Sequence, residues 1–329
     1  MPVQRIKFYQ TGSFAVGNRL LDPDQRSVQA DTERTNSLTM GHRACQGCGE
    51  ALGARYVLDA VMRATGNHAV TVNATGCLEV FSTPFPESSW RVPWLHSLFG
   101  NAPAVATGVA AALKAKGRTD VRVVGQGGDG GTVDIGLGCL SGMFERNDDV
   151  LYVCYDNGGY MNTGVQRSGA TPHGAVTTTT PAGNSFRQGK SLPLIAMAHR
   201  IPYVATATVA DLRDLEYKAT RAMEFHGARY LHVLVPCPLG WRTASSETIQ
   251  IARLATETGS FPVFEAVDGE VTDVTRIRRL RPVEDYLRPQ GRFAHLFGDT
   301  PRGDVISSIQ AEADRNIRTF GLVETTEVS

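Results

Sequence analysis

Short apolar runs, glycine-rich turns and stretches of helical periodicity alternate along most of this chain. From Ala51 to Thr65, apolar side chains surround one polar stripe of Arg55, Asp59 and Arg63, which predicts a largely buried helix closed by Gly66. His68 to Asn73 follows as a short buried strand and leads into Ala74-Thr-Gly-Cys77. Pro84 to Phe99, with its prolines and Trp90 and Trp94, is expected to be a structured loop. Asn101 to Lys116 is alanine-rich and predicts a helix, and Val121 to Val124 a strand feeding Gly125-Gln-Gly-Gly-Asp-Gly-Gly131. A helix of small residues, the apolar run Val150 to Tyr155 and the loop Asp156-Asn-Gly-Gly-Tyr-Met-Asn162 come next. This β-α-β alternation predicts an α/β fold.

Thr163 to Lys190 is a long loop rich in Gly and Thr, and its start beside Asn162 marks it as cover for a substrate or cofactor. Thr208 is expected to cap a helix that ends at Gly227 and turns Leu212, Leu215, Ala219, Ala222 and Met223 inward. Tyr230 to Val235 is the last core strand and ends in Pro236-Cys237-Pro238. Beyond Trp241 the pattern changes. A short helix ends near Gly259, a hairpin turns at Asp268-Gly269, and Arg276, Arg278, Arg279 and Arg281 form a basic run expected to be solvated. Aromatic and basic residues then alternate through Tyr286, Arg292, Phe293 and Phe297, as in an arm that grips a partner subunit. The expected organisation is an N-terminal extension over residues 1–40, an α/β domain over 41–240, and a C-terminal arm over 241–329.

The chain of 329 residues carries a formal net charge of +0, so the totals give no electrostatic support for a nucleic-acid or anionic-membrane partner. Small-molecule chemistry is the better expectation. No signal peptide or bilayer-spanning run is visible, a cytoplasmic location is expected, and the six cysteines are then thiols rather than disulfides.

The candidate chemistry centres on the glycine-rich stretch. A glycine turn after a strand lets backbone N–H groups approach a diphosphate, and the following helix adds its positive end. Asp129 and Asn157 each emerge just past a strand, where two oxygen donors are placed to share a Mg²⁺. Gly-Asp-Gly alone is more often a plain turn, but an Asn in a second glycine loop downstream resembles the signature for thiamine diphosphate. The rival reading, a dinucleotide fold, wants Gly-x-Gly-x-x-Gly opening the helix, and no clean version is present. Cys45 and Cys48 form a C-x-x-C pair, while Cys77 and Cys237 fall at strand ends on the same sheet edge. A redox pair, half of a zinc site, or a 4Fe-4S cluster built from the pair plus distant cysteines are all open; the Cys237-Pro238 neighbourhood and the lack of a second close pair favour the cluster. Cys139 and Cys154 lie within a helix and a strand and are expected to pack in the core.

As a set, Cys45-Gln-Gly-Cys-Gly-Glu50, Ala74-Thr-Gly-Cys-Leu-Glu-Val80, Gly128-Asp-Gly-Gly131 with Asp134-Ile-Gly136, and Asp156-Asn-Gly-Gly-Tyr-Met-Asn-Thr-Gly164 resemble the thiamine-diphosphate-binding (TPP-binding) β subunit of pyruvate:ferredoxin oxidoreductase and related 2-oxoacid oxidoreductases. The resemblance is strong over residues 41–241 and looser beyond. It implies a doubly wound, mostly parallel sheet with helices on both faces, plus terminal extensions. It also implies that Cys45, Cys48, Cys77 and Cys237 hold one 4Fe-4S cluster, and that Asp129, Asn157 and the Gly159 carbonyl hold Mg²⁺. Glu50, Cys77, Gly128, Gly130, Gly131, Gly158, Tyr160 and Met161 match cofactor-contacting positions, and Asn162 a residue facing the 2-oxoacid. Several single-chain relatives carry an aromatic where Gly131 stands, and residues 1–40 match nothing in the family. The implied reaction is oxidative decarboxylation of a 2-oxoacid, with electrons passing to the cluster and the acyl group to coenzyme A, which a partner subunit binds. The activating glutamate is expected on an α subunit, with Glu50 and Glu79 the nearest candidates on this chain, and γ and ferredoxin-like δ subunits and ferredoxin are the further partners. A branched-chain or aryl 2-oxoacid or oxalate in place of pyruvate, a zinc-stabilised or electron-transfer scaffold, and a cluster-free TPP decarboxylase are the alternatives.

Overall fold

The computed structural model of the chain describes residues 36–83, 88–186 and 189–323. Among the described residues, β1 (Ala69–Ala74), β2 (Trp94–Ser97), β3 (Arg122–Gly128), β4 (Val150–Asp156), β5 (Tyr203–Thr208), β6 (Arg229–Leu234), β7 (Phe264–Val267) and β8 (Glu270–Val274) form an eight-stranded sheet in the order β2-β1-β3-β4-β6-β5-β7-β8. The first six run parallel and β7 and β8 are antiparallel, which is the mostly parallel sheet expected. Parallel pairing demands crossovers; α1 (Gly49–Ala64) leads into β1, and the connections between the parallel strands carry α2 (Cys77–Ser82), α3 (Ala102–Ala115), α4 (Leu137–Glu145), α5 (Leu192–Ala198) and α6 (Leu212–Arg221).

The central strand β4 is buried along its whole length because it has helices on both faces. Its side chains divide by the period of two: Leu151, Val153 and Tyr155 join the core under α1, α2 and α6, and Tyr152 and Cys154 join the one under α3, α4 and α5. A third core gathers Leu234, Trp241, Ile251, Leu287 and Phe293 among α7 (Pro238–Trp241), α8 (Thr248–Glu257), α9 (Val283–Leu287) and α10 (Gly303–Phe320). The arm-like alternation in the sequence therefore turns inward at Tyr286, Arg292 and Phe293, all buried, because the third core needs their large side chains.

Several boundaries differ from the sequence reading. Strand β3 does not stop at Val124 but continues through Gly128. Gly125 and Gly127 are glycines because Tyr152 of the neighbouring strand lies across them: a Cβ on Gly125 would sit 2.6 Å from the Tyr152 ring, and one on Gly127 3.0 Å from its hydroxyl. Gly125→Ala is thus expected to overpack a fully buried strand and cost about 1–3 kcal/mol, read as a lowered urea midpoint at constant m. The Pro84 to Phe99 stretch contains the edge strand β2, which pairs parallel with β1 and whose Leu95 and His96 are exposed. Thr208 ends β5 and does not cap α6; Asp211 does, accepting from Arg213 N and Asp214 N, each at 3.1 Å. The hairpin turned at Asp268-Gly269 is present as β7 and β8. Of the N-terminal extension, residues 1–35 lie outside the described residues. Ser37 N donates to the buried Asp59 at 2.6 Å and Leu38 bridges to Trp90. No helix among the described residues is long and apolar enough to cross a membrane.

Candidate functional site

At the carboxyl ends of β3 and β4 the chain turns sharply, and the two turns face one cleft with about 450 Å³ of empty space, part of it open to solvent. Open α/β sheets bind ligands at this edge, where loops diverge from the strand ends. After β3, Asp129 has helical φ/ψ and starts a π-helix over Gly130–Ile135 that runs into α4. Gly130 and Gly131 are required by close approach: a Cβ on Gly130 would lie 2.4 Å from the Tyr160 ring, and one on Gly131 3.0 Å from the Phe99 carbonyl oxygen. Phe99 stacks on Tyr160 at 5.8 Å and its ring edge lies 3.5 Å from that Gly131 position, so it occupies the space an aromatic at 131 would need. Tyr160 is latched in place by donating to Asp134 at 3.1 Å, and Asp134 also accepts from Gly169 N and Lys190 Nζ.

After β4, the turn carries Asn157 between two acidic groups. Its backbone N–H donates to Asp129 Oδ1 at 3.4 Å, and its Nδ2 donates to Glu50 Oε2 at 3.1 Å. That second bond orients the amide and leaves Asn157 Oδ1 buried without a partner. Asp129 is fully buried and its other oxygen accepts from Ser168 Oγ at 2.5 Å. Burial and the adjacent Asp156 hold the Asp129 carboxyl well above the usual carboxylate range. An orphaned amide oxygen beside a carboxylate whose charge lacks a counter-ion is a donor set suited to a hard divalent cation, so these residues fit Mg²⁺. Trp241 Nε1 donates to the Asn157 carbonyl at 2.6 Å and fixes the turn from behind.

The cysteines meet at the same edge from four directions. Cys48 is the N-cap of α1, its Sγ accepting from Ala51 N at 3.4 Å, and Cys237 is the N-cap of α7, accepting from Gly240 N at 3.3 Å. Gly49 N donates to Pro236 O at 3.2 Å, which docks the start of α1 onto the end of β6. Cys77 opens α2, and Cys45 is exposed one turn before Cys48. Burial, reinforced by Glu50, pushes the Cys48 thiol up to about 12 and raises Cys77 further; Cys237 is raised as well, first by burial. The thiols influence one another electrostatically, Cys77 feeling the other three. Three thiols whose anions are disfavoured by burial, with the exposed Cys45 preceding Cys48 by one turn, suit a group that supplies compensating positive charge. Among the described residues no three His, Cys, Asp or Glu side chains close around a single metal ion, whereas a cubane spreads its thiolates over separate irons. Glu50, 3 % exposed, accepts from Asn157 and stands close enough to Cys48, Cys77 and Cys237 to raise each, and burial pushes its carboxyl up to about 7.

Glu50, Cys77, Gly128, Asp129, Gly130, Gly131, Asn157, Gly159, Tyr160, Met161 and Asn162 all line the cleft, with Asn162 exposed at its rim. Gly158 does not: its φ of +77° turns it to the opposite side, against Arg292. Cys45, Cys48 and Cys237 are not part of its lining. Sequence reasoning had no signal for Phe99, and it placed Ser168 only within a covering loop. Thr75 and Gly76 also line the cleft and were visible only as motif letters between β1 and Cys77.

With this geometry established, comparison with known proteins is informative. The family described as "Thiamine pyrophosphate enzyme, C-terminal TPP binding domain" matches residues 74–233. The chain is 53% identical over 290 residues to pyruvate synthase subunit PorB of Methanosarcina barkeri, covering 87% of this chain and 97% of that one. It is 44% identical over 267 residues to ketoisovalerate oxidoreductase subunit VorB of Pyrococcus abyssi, covering 78% and 85%. Among solved structures, a chain of the 2-oxoglutarate:ferredoxin oxidoreductase from Magnetococcus marinus, with 2-oxoglutarate, coenzyme A and succinyl-CoA bound, is similar with a TM-score of 0.54 and 26% identity, covering 66% of this chain and 79% of that one.

Proposed function

The chain belongs to the family of pyruvate synthase PorB subunits and related 2-oxoacid oxidoreductase subunits, and from that membership we propose that it is the TPP-binding β subunit of a pyruvate:ferredoxin oxidoreductase, forming acyl-CoA and CO₂ with partner subunits. The observation that carries the reading is Asn157, held between Asp129 and Glu50 with a bare side-chain oxygen, at the sheet edge where the four thiols gather. Bound thiamine diphosphate supplies a carbon nucleophile and an electron sink for 2-oxoacid decarboxylation. Asp129 and Asn157 hold the Mg²⁺ that binds its diphosphate, together with the Gly159 carbonyl. Gly130 and Gly131 keep the floor of the cleft free of side chains. Cys45, Cys48, Cys77 and Cys237 hold a 4Fe-4S cluster that gives electrons an exit. Glu50 orients the Asn157 amide by accepting from its Nδ2 at Oε2, and burial raises its carboxyl to about 7. Asn162, exposed at the rim, faces the entering 2-oxoacid.

The remaining parts of the site come from partners: an α subunit with the activating glutamate, a coenzyme A site outside this chain, and γ and δ subunits leading to ferredoxin, in the cytoplasm. The test is an anaerobic dye-reduction and CO₂-release assay on this chain alone and on the chain assembled with its partners, using pyruvate, branched-chain and aryl oxoacids and oxalate. Turnover is expected only in the assembly and fastest with pyruvate. Enzyme-like CO₂ release by the single chain would overturn the divided site, and an assembly inactive on every 2-oxoacid would overturn the reading.

A further inference from the structure

Behind the turn that carries Asn157 lies a second cavity, of about 240 Å³, between the strand ends and the C-terminal helices. The Asp156–Gly159 turn is the wall between them: Asn157 and Gly159 face the cofactor cleft, while Asp156 and Gly158 face this one. Leu234, Phe261, Phe264, Leu287, Phe293 and Ile309 give it apolar sides. An engineered apolar cavity of about 150 Å³ accommodates a benzene, so the space suits a small organic molecule.

One end of this apolar space holds a cation. Arg292 is 2 % exposed, and its Nη1 and Nη2 have no hydrogen-bond partner among the described residues. Its Nε donates to Gln290 Oε1 at 2.9 Å, which fixes the plane of the guanidinium and leaves the two outer nitrogens unused. The group lies 3.8 Å from the Trp241 ring centre, and a π face attracts a cation without accepting its hydrogen bonds. The Tyr286 hydroxyl is close enough to act on the guanidinium but makes no well-aligned hydrogen bond to Nη1 or Nη2, and a neutral phenol supplies no anion. Asp156, the acidic neighbour, is committed elsewhere, paired with His232 Nε2 at 3.0 Å and accepting from Gly158 N at 2.8 Å. A buried guanidinium without an anion is costly, and its planar fork matches a carboxylate. His173, which also lines the cavity, has a buried Nδ1 without a partner. Glu312 faces the cavity too, and a carboxylate there opposes a second negative charge on any occupant.

We propose that this cavity is a binding site for an organic monocarboxylate with a small apolar body, its carboxylate gripped by Arg292 with His173 beside it. A diphosphate or nucleotide is disfavoured, since Glu312 and Asp156 on the lining oppose each added negative charge, and Arg292 is the lining cation that lacks an anion while Lys190 already pairs with Asp134. The site stands on Arg292 and the cavity alone and does not depend on the activity proposed above.

The test is calorimetric titration of the full chain with hexanoate and phenylacetate, alongside hexanamide and inorganic phosphate. Saturable binding of a carboxylate is expected, with hexanamide at least about tenfold weaker because it leaves the guanidinium uncompensated. Arg292→Gln should weaken hexanoate by a similar factor, and Arg292→Lys should fall between the two. Should Arg292→Gln fail to fold, Ile309→Trp, which fills the cavity and leaves Arg292 in place, is expected to abolish binding. Absence of saturation in the unmodified chain, equal affinity for hexanamide, undiminished binding to Ile309→Trp, or phosphate binding as tightly as hexanoate would each overturn the proposal.

Discussion

Asp129→Ala is expected to lose thiamine diphosphate, with its affinity in the presence of Mg²⁺ falling by on the order of 100-fold or more. Mutating groups that only support a metal ligand costs 10–100-fold in metal affinity, and Asp129 is proposed to be a ligand itself. Its environment carries the argument. The carboxyl is fully buried, its charged form is opposed by desolvation and by Asp156, and a divalent cation is the partner that relieves both. Alanine also strands Ser168 Oγ and Asn157 N, which now donate to the carboxyl, so Asp129→Asn is the sharper variant. It keeps an acceptor oxygen for Asn157 N, removes the charge, and puts an NH2 opposite Ser168, whose hydroxyl can rotate to accept from it. Its melting temperature without cofactor should stay at or above that of the parent chain, while Mg²⁺-dependent cofactor affinity drops steeply in calorimetry. Unchanged affinity in both variants would mean that the metal is held elsewhere.

Cys237→Ser is expected to abolish the iron-sulfur cluster while leaving the fold in place, an unusual separation that comes from the residue's second role. Cys237 caps α7 through its Sγ, and serine is among the preferred N-cap residues, so the helix start survives the exchange. Serine does not supply the thiolate that an iron requires. Cys48→Ser should behave alike, since Cys48 caps α1 in the same manner. Iron and acid-labile sulfide in anaerobically purified protein should fall from about four of each per chain towards zero, with loss of visible absorption. Cys154→Ser is the control: Cys154 is buried within β4 and its replacement should leave the iron content unchanged. One zinc per chain without sulfide in the parent protein, or full iron content in both capping variants, would refute the cluster.

Much of this architecture is legible in the sequence because its causes are local. Apolar runs such as Val150 to Tyr155 mark strands that must be buried on both faces, and glycine and asparagine directly after them mark turns at their carboxyl ends. Once the strands are known to be parallel, every such end falls on one edge of the sheet. Residues as far apart in the chain as Cys45, Cys77, Asp129, Asn157 and Cys237 could therefore be assigned to one neighbourhood without coordinates.

What the sequence by itself determined, then, is the set of residues at that edge; how they divide among cavities was decided by the tertiary structure. Glu50 reaches Asn157 because the start of α1 docks on the end of β6, which sheet order and not any local preference places beside β4 and the Asn157 turn. Gly125 and Gly127 look like part of a turn, yet they serve packing, because the ring that excludes a Cβ belongs to Tyr152 on the next strand. Gly158 sits within a cofactor motif but turns away from the cleft, as its positive φ dictates, to make room for Arg292 from the C-terminal segment. Arg292 itself reads, in the sequence, as part of an aromatic and basic arm that grips a partner. It is buried because the third core closes over Trp241, and a contact of that kind between distant segments leaves no periodicity in the chain that carries it.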